Sequence, residues 1–335
     1  MLRMVPLPRD AGEEPKGAPA ACGGLSAQPT EGARPAMTMP STIQRVWQSQ
    51  ATAVLVVALA IVILWYGGSI IMNAQLQRDA FENADQKDYT SAQFIAGTLN
   101  MERPKLPAPH QIVRELDKTV LQIDPSSKRS LVYHGIVTLQ ATLLGFSIGS
   151  ILGVLLAVLV VHAASLDKGL MPWIVASQAI PIIALAPMIV VILNQFEVTG
   201  IVPKAVISAY LSFFPVTVGM VKGLRSPDPL QLDLMRTYSA SRPETLFKLR
   251  LPASVPFLFA SLKVAVAASL VGAIVAEVTK SEDGGLGARL LAGSYYGQTV
   301  QIWAALIAAA ICACVLIGIV GSLDRVVSRR MGYAR

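Results

Sequence analysis

The feature that most constrains this chain is the recurrence of uninterrupted apolar runs about as long as a bilayer is thick. Residues 52–72 read TAVLVVALAIVILWYGGSIIM. As a helix rising 1.5 Å per residue, such a run crosses a hydrocarbon core of ~30 Å. Five more runs follow, at about 131–161, 170–193, 201–221, 257–278 and 300–323. With 53% hydrophobic and only 15% charged residues among 335, the chain is too apolar to solvate a soluble fold. The expected fold class is all-α: a polytopic membrane helix bundle of six spans, five forming a core and one added at the N-terminus. A net charge of +7 raises the question of nucleic acid. The cationic residues instead gather in loops and tails, with no basic stripe interleaved with aromatics, so lipid and not nucleic acid is the expected environment.

Taken in order, residues 1–42 are rich in Pro, Gly and Ala and lack apolar periodicity, which predicts a disordered tail. The first apolar run starts at Thr52, too late for an ordinary secretory signal, and 43–72 is assigned to the first transmembrane helix. Residues 73–129 carry eight acidic and eight basic side chains and form an aqueous connector. The core is expected over 130–330, and 331–335 is a short tail. Gly145, Gly149 and Gly153 recur every four residues, a period that allows helices to approach closely in lipid. His134 is read as an interfacial polar residue, and Cys312 and Cys314 as packing residues. Cys22 is the remaining thiol.

Pro181 and Pro187 fall inside the third run. Each removes a helical hydrogen bond, and open carbonyls at membrane depth survive only beside protein or water, so a bent or broken helix bordering a cavity is expected. Gln178 and Asn194 join the two prolines as candidates for a translocation path. Glu277, near the end of the fifth run, is costly in lipid unless it faces a seam, cavity or water. It reads equally as a path or gating residue and as an interfacial carboxylate capped by Lys280. Gly284-Gly285-Leu286-Gly287 is read as a flexible turn; it lacks the lysine and the preceding strand of a phosphate loop. No catalytic set and no nucleotide site is legible, so neither an enzyme nor a bound cofactor is expected of this chain.

The polar stretch from Pro227 to Pro256 interrupts the apolar runs. Asp228 with Gln231, and Ser241 with Glu244, have the spacing of capping boxes, and Pro229 and Pro243 sit in the first turns they begin. Two short helices are expected, the second ending near Arg250 because Leu251 precedes Pro252. The segment 222–250 holds six Lys or Arg and the tail from Arg325 four, against none in 194–200 and one in 281–298. This places the hairpin, within a loop spanning 223–256, in the cytoplasm, together with both termini. The connector 73–129 is then extracytoplasmic.

The same stretch resembles the signature loop of inner-membrane permease subunits of ABC importers: Glu-Ala-Ala, three residues, Gly, nine residues, Ile, one residue, Leu-Pro. Asp233, Leu234 and Met235 stand at Glu-Ala-Ala, Ser239 at Gly, Leu249 at Ile, and Leu251 with Pro252 at Leu-Pro. Serine enters the left-handed region less readily than glycine. Arg236, Thr237, Ala240, Ser241, the run from Leu251 to Pro256 and the Ala276-Glu277 pair are similar to the subfamily that imports nitrate, sulfonates, taurine and pyrimidine- or riboflavin-type vitamin precursors. The resemblance spans about 131–330. It implies a type I importer fold, a bacterial inner-membrane location, and a coupling role for Asp233, Leu234, Met235, Arg236, Ser239, Ala240, Ser241, Arg242, Leu249, Leu251 and Pro252. It also implies partners: ATPase subunits that use ATP, an extracytoplasmic substrate-binding protein, and a second permease copy. The alternative is an ATP-independent secondary transporter or channel.

Overall fold

Apolar helices dominate because a backbone in lipid must satisfy its own hydrogen bonds. The computed structural model describes residues 50–85 and 88–332, and every regular element among them is helical. The expected tail 1–42, Cys22 and the start of the first transmembrane region lie outside the described residues. The helices are α1 (Gln50–Asn83), α2 (Ser91–Leu99), α3 (Pro109–Asp117), α4 (Leu131–His162), α5 (Ala164–Ser177) and α6 (Ile182–Gln195). They continue as α7 (Ile201–Leu224), α8 (Pro229–Thr237), α9 (Arg242–Thr245), α10 (Leu251–Thr279), α11 (Leu286–Tyr295) and α12 (Thr299–Arg330). Five helical stretches are long and apolar enough to cross a membrane, and six if the bent pair α5–α6 counts as one span. Their exposed faces carry Leu, Ile and Val, as a surface against lipid requires.

α7 is the centre, packed against both α4 and α10, which also touch each other. The glycines of α4 explain the first of these contacts. A Cβ at Gly145 would overlap Ser208, one at Gly149 would overlap Ser212, and one at Gly153 would press on the Phe213 carbonyl and Val216. The four-residue glycine repeat is therefore an intramolecular seam. Polar side chains stitch the same helices: Ser208 Oγ donates to the Ser269 carbonyl (2.9 Å) and Ser269 Oγ to that of Thr142 (2.9 Å). Such bonds take the place of the hydrophobic drive that helix association lacks in lipid. Lys263 Nζ bridges α10 to Asp324 of α12 at 2.6 Å.

Four boundaries differ from expectation. First, α1 runs past Met72 to Asn83, because the polar residues after the apolar run have partners in the connector. Asn73 Oδ1 accepts from Lys105 N–H (2.8 Å), its amide donates to the Leu106 carbonyl (2.9 Å), and Trp65 Nε1 donates to Pro107 (3.1 Å). The connector is thus folded, and α3 packs on α12. Second, no loop separates α4 from α5; Ala163 alone is non-helical between them. Third, the break expected over the two prolines is present at Pro181, with a bend of 100°, but Pro187 stays inside α6. Fourth, the chain does not stop at Arg250. A π-helical turn over Leu246–Arg250 joins α9 directly to α10, with Leu251 N–H bonding the Leu246 carbonyl five residues back. The wide turn accommodates Pro252, which has no N–H to give.

Candidate functional site

The polar hairpin α8–α9 is built by local chemistry. Asp228 Oδ1 accepts the Leu230 N–H (2.8 Å), and Gln231 Oε1 returns to the Asp228 N–H (3.3 Å). Ser241 Oγ accepts the Glu244 N–H (3.4 Å), and Glu244 Oε2 accepts the Ser241 N–H (2.9 Å). Both capping boxes are therefore present. Between them the chain turns on Ser239, at φ 53°, with Ser239 N–H bonded to Arg236 O and Ala240 N–H to Met235 O. This 6→1, 5→2 pair closes the end of α8 around a left-handed residue. Serine thus takes the conformation for which glycine is the usual choice.

Asp233 lies exposed on α8, paired with Arg236 at 2.8 Å. Leu234 is exposed beside it, while Met235 and Ala240 are half-buried. Arg242 opens α9, Leu249 lies in the wide turn, and Leu251 and Pro252 begin α10. One set of residues was not singled out in the sequence. Leu230, Leu234 and Tyr238 recur at four-residue spacing, are 77%, 56% and 76% exposed, and make an apolar stripe on a charged helix; exposed Phe247 follows on the wide turn. The signal was available as that period in a segment otherwise read as polar. Beside the hairpin is a cavity of about 420 Å³, lined by His162, Leu232, Arg236, Arg242, Thr245 and Arg250 among others.

The hairpin is tied to the bundle at its base. Leu246 is buried with Val160, Val216, Met220 and Leu224, joining the wide turn to α4 and α7. Arg250 donates to the Leu224 carbonyl (3.3 Å), and Arg225 pairs with Asp167 of α5 at 2.8 Å.

The path candidates separate into two places. Gln178 caps α5, Pro181 precedes α6, Pro187 lies within α6 and Asn194 near its end; all four are exposed. At the break, the Ser177 carbonyl accepts the Tyr210 hydroxyl of α7, so protein satisfies one group freed there. Glu277 is elsewhere, fully buried at the end of α10. Its carboxylate accepts from Thr138 Oγ1 and Gly287 N–H, both at 2.9 Å, in place of Lys280. His134 is buried in the same node, and its Nδ1 accepts the Gly285 N–H at 2.9 Å. The 284–287 turn, expected to be flexible, is pinned by side chains of other helices. That constraint joins residues over a hundred positions apart, which no local pattern could signal.

The chain is similar to three transport permease proteins. A Haemophilus influenzae protein named "Probable ABC transporter permease protein" is 34% identical over 174 residues, covering 52% of this chain and 69% of that protein. The formylaminopyrimidine transport permease protein ThiX of Halalkalibacterium halodurans is 31% identical over 180 residues, covering 53% and 67%. The riboflavin transport system permease protein RibX of Chloroflexus aurantiacus is 29% identical over 196 residues, covering 58% and 71%. The family model for the binding-protein-dependent transport system inner membrane component matches residues 149–333, more than half of the chain and inclusive of the hairpin, the Pro181 break and Glu277. With its multi-pass helical bundle and capped polar hairpin, the chain belongs to this family of ABC transporter permeases, as a transport component of the inner membrane.

Proposed function

We propose that the chain is the permease of an ATP-driven importer for a small polar solute, of the nitrate, sulfonate, taurine or vitamin-precursor kind, and that the α8–α9 hairpin couples it to a separate ATPase. The hairpin lies in the cytoplasm with both termini, and an extracytoplasmic binding protein delivers substrate to the opposite end. Two copies of the chain line one path, with the Pro181 break bordering it. The chain itself binds no nucleotide; ATP is used by the partner. The observation that carries this reading is the rigid, doubly capped hairpin that exposes Leu230, Leu234 and Tyr238 while burying Leu246 in the core of α4 and α7. A fixed shape outside the membrane with an unpaired apolar stripe is suited to docking, and its buried foot to transmitting movement.

The test is reconstitution with the candidate ATPase and binding protein, measuring uptake of nitrate, taurine, formylaminopyrimidine and riboflavin. Asp233→Ala and Leu234→Asp should each lower ATP-driven uptake by about tenfold or more, equivalent to about 1.4 kcal/mol of lost contact. Thermal stability of the bundle should change by only a few tenths of a kcal/mol for Asp233→Ala, since its pair with Arg236 is exposed. Wild-type uptake in both variants would show that coupling runs elsewhere, and uptake without ATP would favour a secondary transporter.

A further inference from the structure

Four groups of the 284–287 loop are held by side chains from three long helices. Gly285 N–H donates to His134, Leu286 N–H to Thr138 Oγ1 (2.9 Å), and Gly287 N–H to Glu277 Oε2. The Gly284 carbonyl accepts the Lys204 ammonium at 3.1 Å. The loop fits this clamp only as glycine: Gly284 and Gly285 have φ of 77° and 122°, and a Cβ at Gly285 would overlap the Glu277 carboxyl group. Thr138 has one hydroxyl hydrogen, and its nearest acceptor is Glu277 at 2.9 Å, with the His134 carbonyl at 3.0 Å.

Glu277 is 0% and Lys204 2% exposed, so a carboxyl group and an amine, able to carry opposite charges, share one buried node. They form no ion pair with each other, for the loop backbone stands with each. Glu277 Oε1 is buried without a hydrogen-bond partner. A buried carboxylate with an unmet oxygen is a costly arrangement, and withdrawing the loop would strip further partners from both charges. The ammonium has three donors on a flexible stem, and the carboxylate has an open acceptor. Each is therefore the natural replacement for what the other would lose.

We propose that Lys204 and Glu277 are positioning residues of a two-position latch: they hold the 284–287 loop across the extracytoplasmic end of the bundle, and pair with each other when the loop withdraws to open it. This rests on the importer reading and its orientation. Exchange of partners keeps both positions satisfied, which is what a bistable element needs. Leu286 and Gly287 are the first two residues of α11, with Gly285 as its N-cap, so release of this segment frees that helix as well.

Hydrogen exchange on the assembled complex in nanodiscs tests this. The amides of 285–287 should be protected at rest and exchange about tenfold faster or more when the complex is trapped with vanadate and binding protein. Glu277→Gln keeps an oxygen for Gly287 and should retain resting protection. It cannot form the ion pair, so ATPase stimulation by the binding protein should fall about tenfold. Glu277→Ala should lose resting protection. Unchanged protection on trapping, or full stimulation in Glu277→Gln, would overturn the latch; the first of these needs no variant to fold. A wild-type complex whose ATPase ignores the binding protein would overturn the importer reading, and the latch with it, before any substitution is made.

Discussion

At the scale of single residues, two glycines of α4 make opposite cases. Gly149 faces Ser212 and the Ala209 carbonyl so closely that one methyl group would overlap both, whereas Gly135 has open space around its Cβ position. Gly149→Ala should therefore force the α4–α7 seam apart and destabilise the protein by about 1–3 kcal/mol. Gly135→Ala should be neutral or stabilising, by up to about 1 kcal/mol, because alanine favours the helix. Thermal unfolding in detergent compares the two; equal losses would remove the seam from the account. Ser239 is instructive in another way. Glycine is the easy choice for a left-handed residue, yet serine occupies φ 53° because two backbone bonds, from its own N–H and from Ala240, close the turn around it. Side-chain identity alone suggested a looser turn.

Among the elements, the bent pair α5–α6 offers the plainest test. Cysteines placed singly from 178 to 190 should react with a water-soluble maleimide at exposed Gln178, Pro181 and Pro187. Ala186 and Val190 should stay protected, packed against Ile207 and Ala276. Uniform protection along the segment would remove the water path from the break. These elements also show what was legible in the sequence. The caps of α8 and α9 were readable because each is settled within four residues, by Asp228 with Gln231 and by Ser241 with Glu244. The spans were readable because apolar length is itself the signal. The rule that a residue before proline leaves the helix failed at Leu251, since burial of Leu246 among α4 and α7 residues favours a continuous rod with one wide turn. The long-range contacts that hold the connector and clamp residues 284–287 escaped notice for the same physical reason: Asn73 and Glu277 take partners far away in the chain. Their polarity was visible, but not its direction.

For the whole molecule, the absence of a phosphate loop from the sequence predicts that the purified chain neither binds nor hydrolyses ATP; saturable nucleotide binding to the chain alone would contradict this. On the proposed coupling, work done on the bundle enters at the hairpin end, and the continuity of α9, the wide turn and α10 bears on how it travels. These elements form one helix of 38 residues, Arg242–Thr279, with a length of about 57 Å at 1.5 Å per residue. The hairpin and the Glu277 node are the two ends of a single connecting rod. The surplus residue of the π turn also sets the azimuth of everything beyond it. Deleting one residue there would turn the far end by about 100°, swinging Glu277 away from Thr138 and Gly287 without touching either. An irregularity at one face of the membrane is in this sense the phase setting for a contact at the other.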